Sequence, residues 1–198
     1  MKNKEEFSPI FPLAVNVLPG GLLPLQIFEP RYLDMIKESL ANNKGFTVSL
    51  VNPSISAKST EMNYKSIGTY TDIVDFNQLD NGLLGITVKG KHRVEIYNPW
   101  KKEDGLNMAC IKELKEEKED LSSEPAYFEL WKTLKDITSH PEIKKLNMDI
   151  DFHDSANVAF SLSSLLPLTP NERQKILEED LNSKRFEYLK QMIKRFGG

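Results

Sequence analysis

The sequence predicts an α+β fold: a β-rich unit with one inserted helix over residues 1–120, then a helical subdomain over 121–198. Three observations carry that expectation. Strand-like runs bounded by turn residues recur between positions 11 and 114. The stretch that follows Pro30 interrupts them with helical spacing. Past the mixed charge run at 115–120, the composition changes and apolar residues recur three and four apart.

The organising stretch is 11–45, which reads as strand, turn, strand and helix. Pro19-Gly20-Gly21 breaks the two strands, since Pro fixes φ at one turn position and Gly accepts positive φ at the next. Pro30 has no N–H to leave unpaired and suits a first helical turn, with Glu29 at the positive end of the helix dipole. Tyr32, Leu33, Met35, Ile36 and Leu40 then share one face, and Asn42-Asn43-Lys44-Gly45 stops the helix. Residues 46–51 alternate as a half-buried strand does, and 52–65 reads as a mobile loop.

Residues 67–76 and 83–89 flank Asn81-Gly82, which predicts a hairpin with a type I′ turn and positive φ at both central residues. Gly90-Lys91 predicts a second reversal before a strand at 93–97, and 108–114 supplies one more strand. In the tail, Ser122-Ser123-Glu124-Pro125 reads as a helix start. Phe128, Trp131, Leu134 and Ile137 form an apolar stripe on the helix that follows. A second helix covers 155–166. Thr169-Pro170-Asn171-Glu172 is a capping box that opens a third, and a fourth runs over 183–196.

A chain of 198 residues with 39% hydrophobic residues is long enough to bury a sizeable core. The net charge of -3 and pI near 5.7 do not advertise a polyanion partner. Cys110 is the single cysteine, which excludes an intramolecular disulfide and any multi-cysteine metal site. The N-terminus has no signal-peptide pattern and no apolar run approaches the ~18 residues of a membrane span, so the expectation is a soluble, cytoplasmic protein.

Catalytic patterns fail one by one. Residues 85–92 come one residue short of a P-loop. Their middle is β-branched, His92 stands where a hydroxyl is needed, and strand rather than helix follows, so the predicted structure is a turn between strands. Asp149, Asp151, His153 and Asp154 lack the glycine and glutamate of an EF-hand, and read better as carboxylates at the start of the helix at 155. His92, His140 and His153 lie too far apart for a zinc motif. No G-x-S-x-G elbow is present, and Cys110 has no evident base beside it. No catalytic residue, metal ligand or cofactor is assigned.

The run IFEPRYLDMI at 27–36, Ile67-Gly68-Thr69, the strand from Gly90 through Arg93 to Ile96, and Leu165-Leu166-Pro167-Leu168 with Arg185 together resemble the stand-alone N-terminal, substrate-binding domain of the Lon protease family. Val94 departs from the usual Phe of that pattern, and Thr47 from a frequent Gly. The resemblance implies a PUA-like twisted β-barrel joined to a helical subdomain. It also implies a non-catalytic module that binds protein or unfolded polypeptide segments, since the family's ATPase and Ser-Lys protease modules are not in this sequence. Its binding residues would include Phe28, Glu29, Arg31 and Tyr32, although for Glu29, Arg31 and Tyr32 the favoured role is to fix the strand-to-helix corner. The alternative is a small-molecule or RNA-binding PUA-like module using Lys89, Lys91 and Arg93, with His92, Lys101 and Lys102 nearby. A third reading, a hydrolase, has no residues to carry it. The sequence sets no oligomeric state.

Overall fold

In the computed structural model, which describes residues 6–52, 63–117, 119, 121, 125–146 and 148–196, two compact units emerge. One comprises Met1–Val17 and Leu22–Leu114; the other comprises Leu18–Gly21 and Lys115–Gly198. The first holds the strands and one helix: β1 (Glu6–Leu13), β2 (Leu22–Ile27), α1 (Pro30–Asn42), β3 (Phe46–Leu50), β4 (Ile67–Gln78), β5 (Leu84–Lys101) and β6 (Asn107–Glu113). The α+β class is as expected.

The strands lie in the order β2-β5-β4-β3-β1-β6, and β5 pairs with β6 as well. That extra pairing makes β5, β4, β3, β1 and β6 a closed circuit of hydrogen-bonded neighbours, with β2 attached outside it. Among the described strands, only β1 and β3 pair in parallel. A single strand can serve three partners because β5 is 18 residues long. Its first part pairs with β2 and β4, and its later part with β4 and β6.

This length corrects the reversal expected at Gly90-Lys91. Tyr70 faces His92 while Thr71 faces Gly90, so Lys91 is an extra residue and the strand continues through a β-bulge. A glycine followed by a polar residue marks either feature, and here it bends the strand rather than ending it. The turn at 79–83 also differs from expectation. Gly82 alone has positive φ, 80°, while Asn81 does not. The Gly82 N–H donates to Leu79 O and the Leu79 N–H to Leu83 O, which closes a three-residue loop in place of the two-residue type I′ turn.

The half-buried reading of β3 is overturned too: all five of its residues are buried. Phe46 and Val48 enter one apolar cluster with Tyr32, Met35 and Ile36 of α1. The opposite face carries Thr47 and Ser49, whose hydroxyls are used inside. Thr47 Oγ1 lies 2.9 Å from Ser8 Oγ, and Ser49 Oγ donates to Lys65 O at 2.7 Å. Polar residues in strand alternation mark the solvent side only when no second layer covers them.

Helix α1 starts at Pro30, with the Glu29 carbonyl accepting from Tyr32 and Leu33 N–H, and ends at Asn43 with φ 51°. Its buried face is Tyr32, Met35, Ile36 and Ser39, whereas Leu40 is exposed. Just beyond it, a Cβ on Gly45 would stand 1.8 Å from Thr71 O, so only glycine lets the chain pass that close to β4. The loop expected at 52–65 lies mostly outside the described residues, apart from a bridge between Val51 and the buried Tyr64.

The second unit contains α2 (Pro125–Ser139), α3 (Pro141–Lys144), α4 (Ser155–Leu165), α5 (Pro170–Glu178) and α6 (Asn182–Phe196). The helix start expected at Ser122–Glu124 lies outside the described residues. Leu130 and Leu134 are the buried face of α2; Phe128, placed in the apolar stripe by its spacing, is 62% exposed. Asp154 caps α4 by accepting from Ala156 N and Asn157 N, the role expected of it. Gly20 takes φ 78° in the turn at 18–21, as its sequence predicts.

Arg185 ties this unit together. Its side chain is fully buried and donates from Nε to Ile176 O, from Nη1 to Glu116 Oε2 and Asn182 Oδ1 at 2.6 Å each, and from Nη2 to Glu179 O. Its guanidinium also lies over the Phe160 ring. Replacement Arg185→Ala strands these acceptors and is expected to lower stability by about 3–5 kcal/mol. The urea midpoint of the helical ellipticity checks this, and an unchanged midpoint contradicts it.

The capping box at Thr169 is formed, with Glu172 accepting from Thr169 N and Thr169 Oγ1 accepting from Glu172 N. Glu172 also accepts from Arg195 Nη1 at 2.6 Å. The Arg195 hydrogen bond first, then the bonds from Thr169, hold the Glu172 carboxyl down at about 2. A lowered folded-state value adds stability above the unfolded value, and that stability is lost as pH falls toward 2. Melting temperature is therefore expected to fall between about pH 5 and pH 2, and to fall less steeply in Glu172→Gln. Parallel curves for the two proteins contradict the assignment.

Candidate functional site

The corner between β2 and α1 brings the predicted residues Phe28, Glu29, Arg31 and Tyr32 together, but mostly as structure. Tyr32 points inward, 6% exposed, and stacks on Phe11 with ring centroids 4.1 Å apart. Burial pushes its phenol above the ordinary value, with Arg31 opposing and Glu29 adding. The Arg31 guanidinium lies 4.9 Å from the Tyr32 ring centroid. Arg31 Nη2 pairs with Glu29 Oε2 at 2.6 Å, and Nη1 donates to Gly105 O at 3.1 Å. The guanidinium fork therefore ties the helix start to the β5–β6 turn, where Gly105 has φ 81° and its N–H donates to Lys102 O. Glu29 makes no side-chain cap on α1, because its carboxylate is turned to Arg31. Phe28 alone of the four stands out in solvent, 66% exposed.

The basic residues do not form one face. Arg93 is 1% exposed and enclosed in the sheet, opposite Thr69, so it is withdrawn from the nucleic-acid surface proposed for Lys89, Lys91 and Arg93. Lys91 sits on the bulge and pairs with Asp72 at 2.9 Å, a hydrogen bond that holds its ammonium above the ordinary value. Lys89 is half-buried and His92 stacks on Tyr70. Lys102 meets Glu38 of α1 at 3.4 Å.

The accessible apolar surface lies elsewhere. Where β4 and β5 run past the circuit they form, with β2, a three-stranded extension. On one face of it, Leu23, Leu25, Ile73 and Leu84 are only partly covered. Phe76, opposite Ile86, is 60% exposed, and Val74 is 51% exposed. Val74 is itself a bulge, since Ile73 faces Val88 and Asp75 faces Thr87. Sequence reasoning missed both residues. Period-2 alternation assigns them to one face opposite Ile73, whereas the extra residue Val74 shifts the register and puts Phe76 on the face of Ile73. A second exposed pair, Phe7 and Trp100, meets edge to face at 5.6 Å. Among the described residues, no group of three or more His, Cys, Asp or Glu is placed to hold a metal ion.

Residues 8–195 match the family defined as the ATP-dependent protease La (LON) substrate-binding domain. The chain is 27% identical to protein cereblon of Danio rerio over 112 residues, 54% of this chain and 25% of that protein. It is 23% identical to the Lon protease of Bacillus thuringiensis (strain Al Hakam) over 186 residues, 90% of this chain and 23% of that protein. It thus spans about a quarter of the length of these curated relatives. Among solved structures, a Lon N-terminal domain protein from Xanthomonas campestris superposes with TM-score 0.75 at 25% identity, covering 93% of this chain and 96% of the other. The N-terminal domain of a Mycobacterium avium complex Lon protease gives TM-score 0.69 at 18% identity with the same coverage, and shares the fold.

Arg31→Ala removes a guanidinium engaged by a carboxylate and a backbone carbonyl at a partly exposed corner, and is expected to cost about 1–2 kcal/mol. Arg31→Lys restores little, because an ammonium cannot span Glu29 and Gly105 as the fork does. Chemical denaturation of the two variants checks this; full rescue by lysine contradicts it.

Proposed function

The chain belongs to the substrate-binding domain family of the ATP-dependent protease La (LON), and on that premise we propose that it is a non-catalytic recognition module that binds segments of protein chains. The observation that carries the reading is the match of residues 8–195 to a substrate-binding domain, which leaves neither an ATPase nor a protease domain in this chain. The geometry agrees with it. Apart from the exposed Phe28, the conspicuous FEPRY corner is spent on internal bonds, while large apolar side chains stand exposed around the β2-β5-β4 extension. Protein segments are recognised through such apolar surfaces and through sheet edges.

An RNA partner has less to hold. Arg93 is inside the sheet, and Lys91 is committed to Asp72. We place the protein in the cytosol, in keeping with the free, buried Cys110 and with the finding that no described helix is long and apolar enough to cross a membrane.

Calorimetric titration with reduced, carboxamidomethylated lysozyme is expected to show saturable binding with a negative heat-capacity change, and no turnover of added ATP. Binding of single-stranded RNA that collapses between about 50 and 200 mM salt, and weakens in Lys91→Glu, overturns the reading. So does ATP hydrolysis.

A further inference from the structure

We infer that the outer edge of β4 over residues 72–78 is a strand-addition site for an extended, apolar polypeptide segment carrying Lys or Arg. This rests on the reading that the module binds protein chains. β3 pairs with β4 only from Thr69 to Thr71, so beyond that point β4 has β5 on one side and no described strand on the other. The five residues from Val74 to Gln78 are all exposed.

The edge is poised rather than blunted. The Phe76 N–H donates not to β5 but to its own neighbour's carboxylate, Asp75 Oδ1, at 2.9 Å. An incoming backbone carbonyl can replace that carboxylate, and the displaced carboxylate is then free to meet a cation on the same segment. β2 also has an open side, but it carries Pro24, which has no N–H to offer an added strand. β4 has no proline within its bounds. Val74 and Phe76, 51% and 60% exposed, supply apolar contact at the same edge.

Charge selects the occupant. β4 bears Asp75, and Asp72 that is already paired with Lys91, with neither Lys nor Arg of its own, and Asp80 stands exposed in the adjoining loop. A second copy laid on this edge brings the Asp75 carboxylates together with no cation on β4 of either copy to meet them, which is destabilising across a pair. A foreign segment with alternating apolar and basic residues meets both requirements.

The test uses a short fluorescent peptide alternating valine and lysine around a central phenylalanine, titrated by anisotropy against the full chain. Three comparisons are made. The peptide N-methylated at alternate residues cannot bond along one edge; the peptide with glutamate for lysine reverses the charge; and Phe76→Lys alters the protein at an exposed position. Each is expected to weaken binding about tenfold or more, with the melting temperature of Phe76→Lys unchanged. The peptide comparisons need no variant. Equal affinity for the N-methylated peptide, or an unaltered affinity of Phe76→Lys, overturns the edge site. Self-association of the wild type that Phe76→Lys abolishes overturns the choice of a foreign segment. If wild type binds carboxamidomethylated lysozyme but is indifferent to all three changes, the recognition reading stands and the edge site falls. Binding of neither lysozyme nor peptide sinks both.

Discussion

Everything in the β unit depends on β5 remaining one strand. Its 18 residues pair with β2, β4 and β6, so a break in its first part would detach β2 and a break in its later part would open the circuit. An extended strand of that length cannot stay straight and still close on itself, because strand twist accumulates. The bends are supplied locally, by the extra residue Lys91 against β4 and by an irregularity between Tyr97 and Trp100 against β6, where Asn98 takes φ 47°. Each bulge surrenders a little pairing and returns curvature. The ion pair between Lys91 and Asp72 spans the first bend, from the bulged residue to the strand it bulges against.

The same geometry explains what the sequence disclosed and what it hid. Backbone constraints imposed by one residue were legible: Gly20 in its turn, Pro30 opening α1, Asn43 closing it, and the reciprocal bonds of Thr169 with Glu172. These act within a few residues and need no knowledge of the fold. Features that depend on distant layers were not. Thr47 and Ser49 alternate as solvent-facing residues would, yet inside the fold the Thr47 hydroxyl meets that of Ser8 and the Ser49 hydroxyl donates to Lys65 O, partners far away in sequence. Ser39 is buried and Leu40 exposed because the face α1 presents is set by the sheet beneath it rather than by hydrophobicity alone. Gly90-Lys91 carries the same local signal for a turn as for a bulge, and only the register against Tyr70 and Thr71 decides between them.

The candidate site was partly visible for a related reason. A motif dense in charged and aromatic residues, such as Phe28 to Tyr32, attracts functional interpretation, but its charges find one another at short range and its tyrosine enters the core. Arg93 and Arg185 belong to the same category. Both are buried arginines, and Arg185 satisfies its fork with two backbone carbonyls, an amide and a carboxylate. Arg185 also gives the charged run at 115–120 a structural purpose, because Glu116 pairs with it and Glu119 accepts from Ser183 N and Oγ at the start of α6. The residues left for binding, Val74 and Phe76, are unremarkable in a string of strand formers.

The two open edges of the β2-β5-β4 extension show how a fold can protect itself without giving up a surface. An unpaired edge invites uncontrolled association, and natural sheets answer with prolines, charges or bulges. β2 uses Pro24, a permanent answer, since the missing N–H cannot be restored. β4 uses a bulge at Val74 and the Asp75 carboxylate on the Phe76 N–H, and that answer is reversible, because a hydrogen bond to a side chain can be exchanged for one to an incoming backbone. A carboxylate is also a selective guard. It is released at least cost when the newcomer offers a cation, and at greatest cost when the newcomer is a second copy bearing the same aspartates. Protection against self-association and readiness for a different chain thus come from one side chain on one strand.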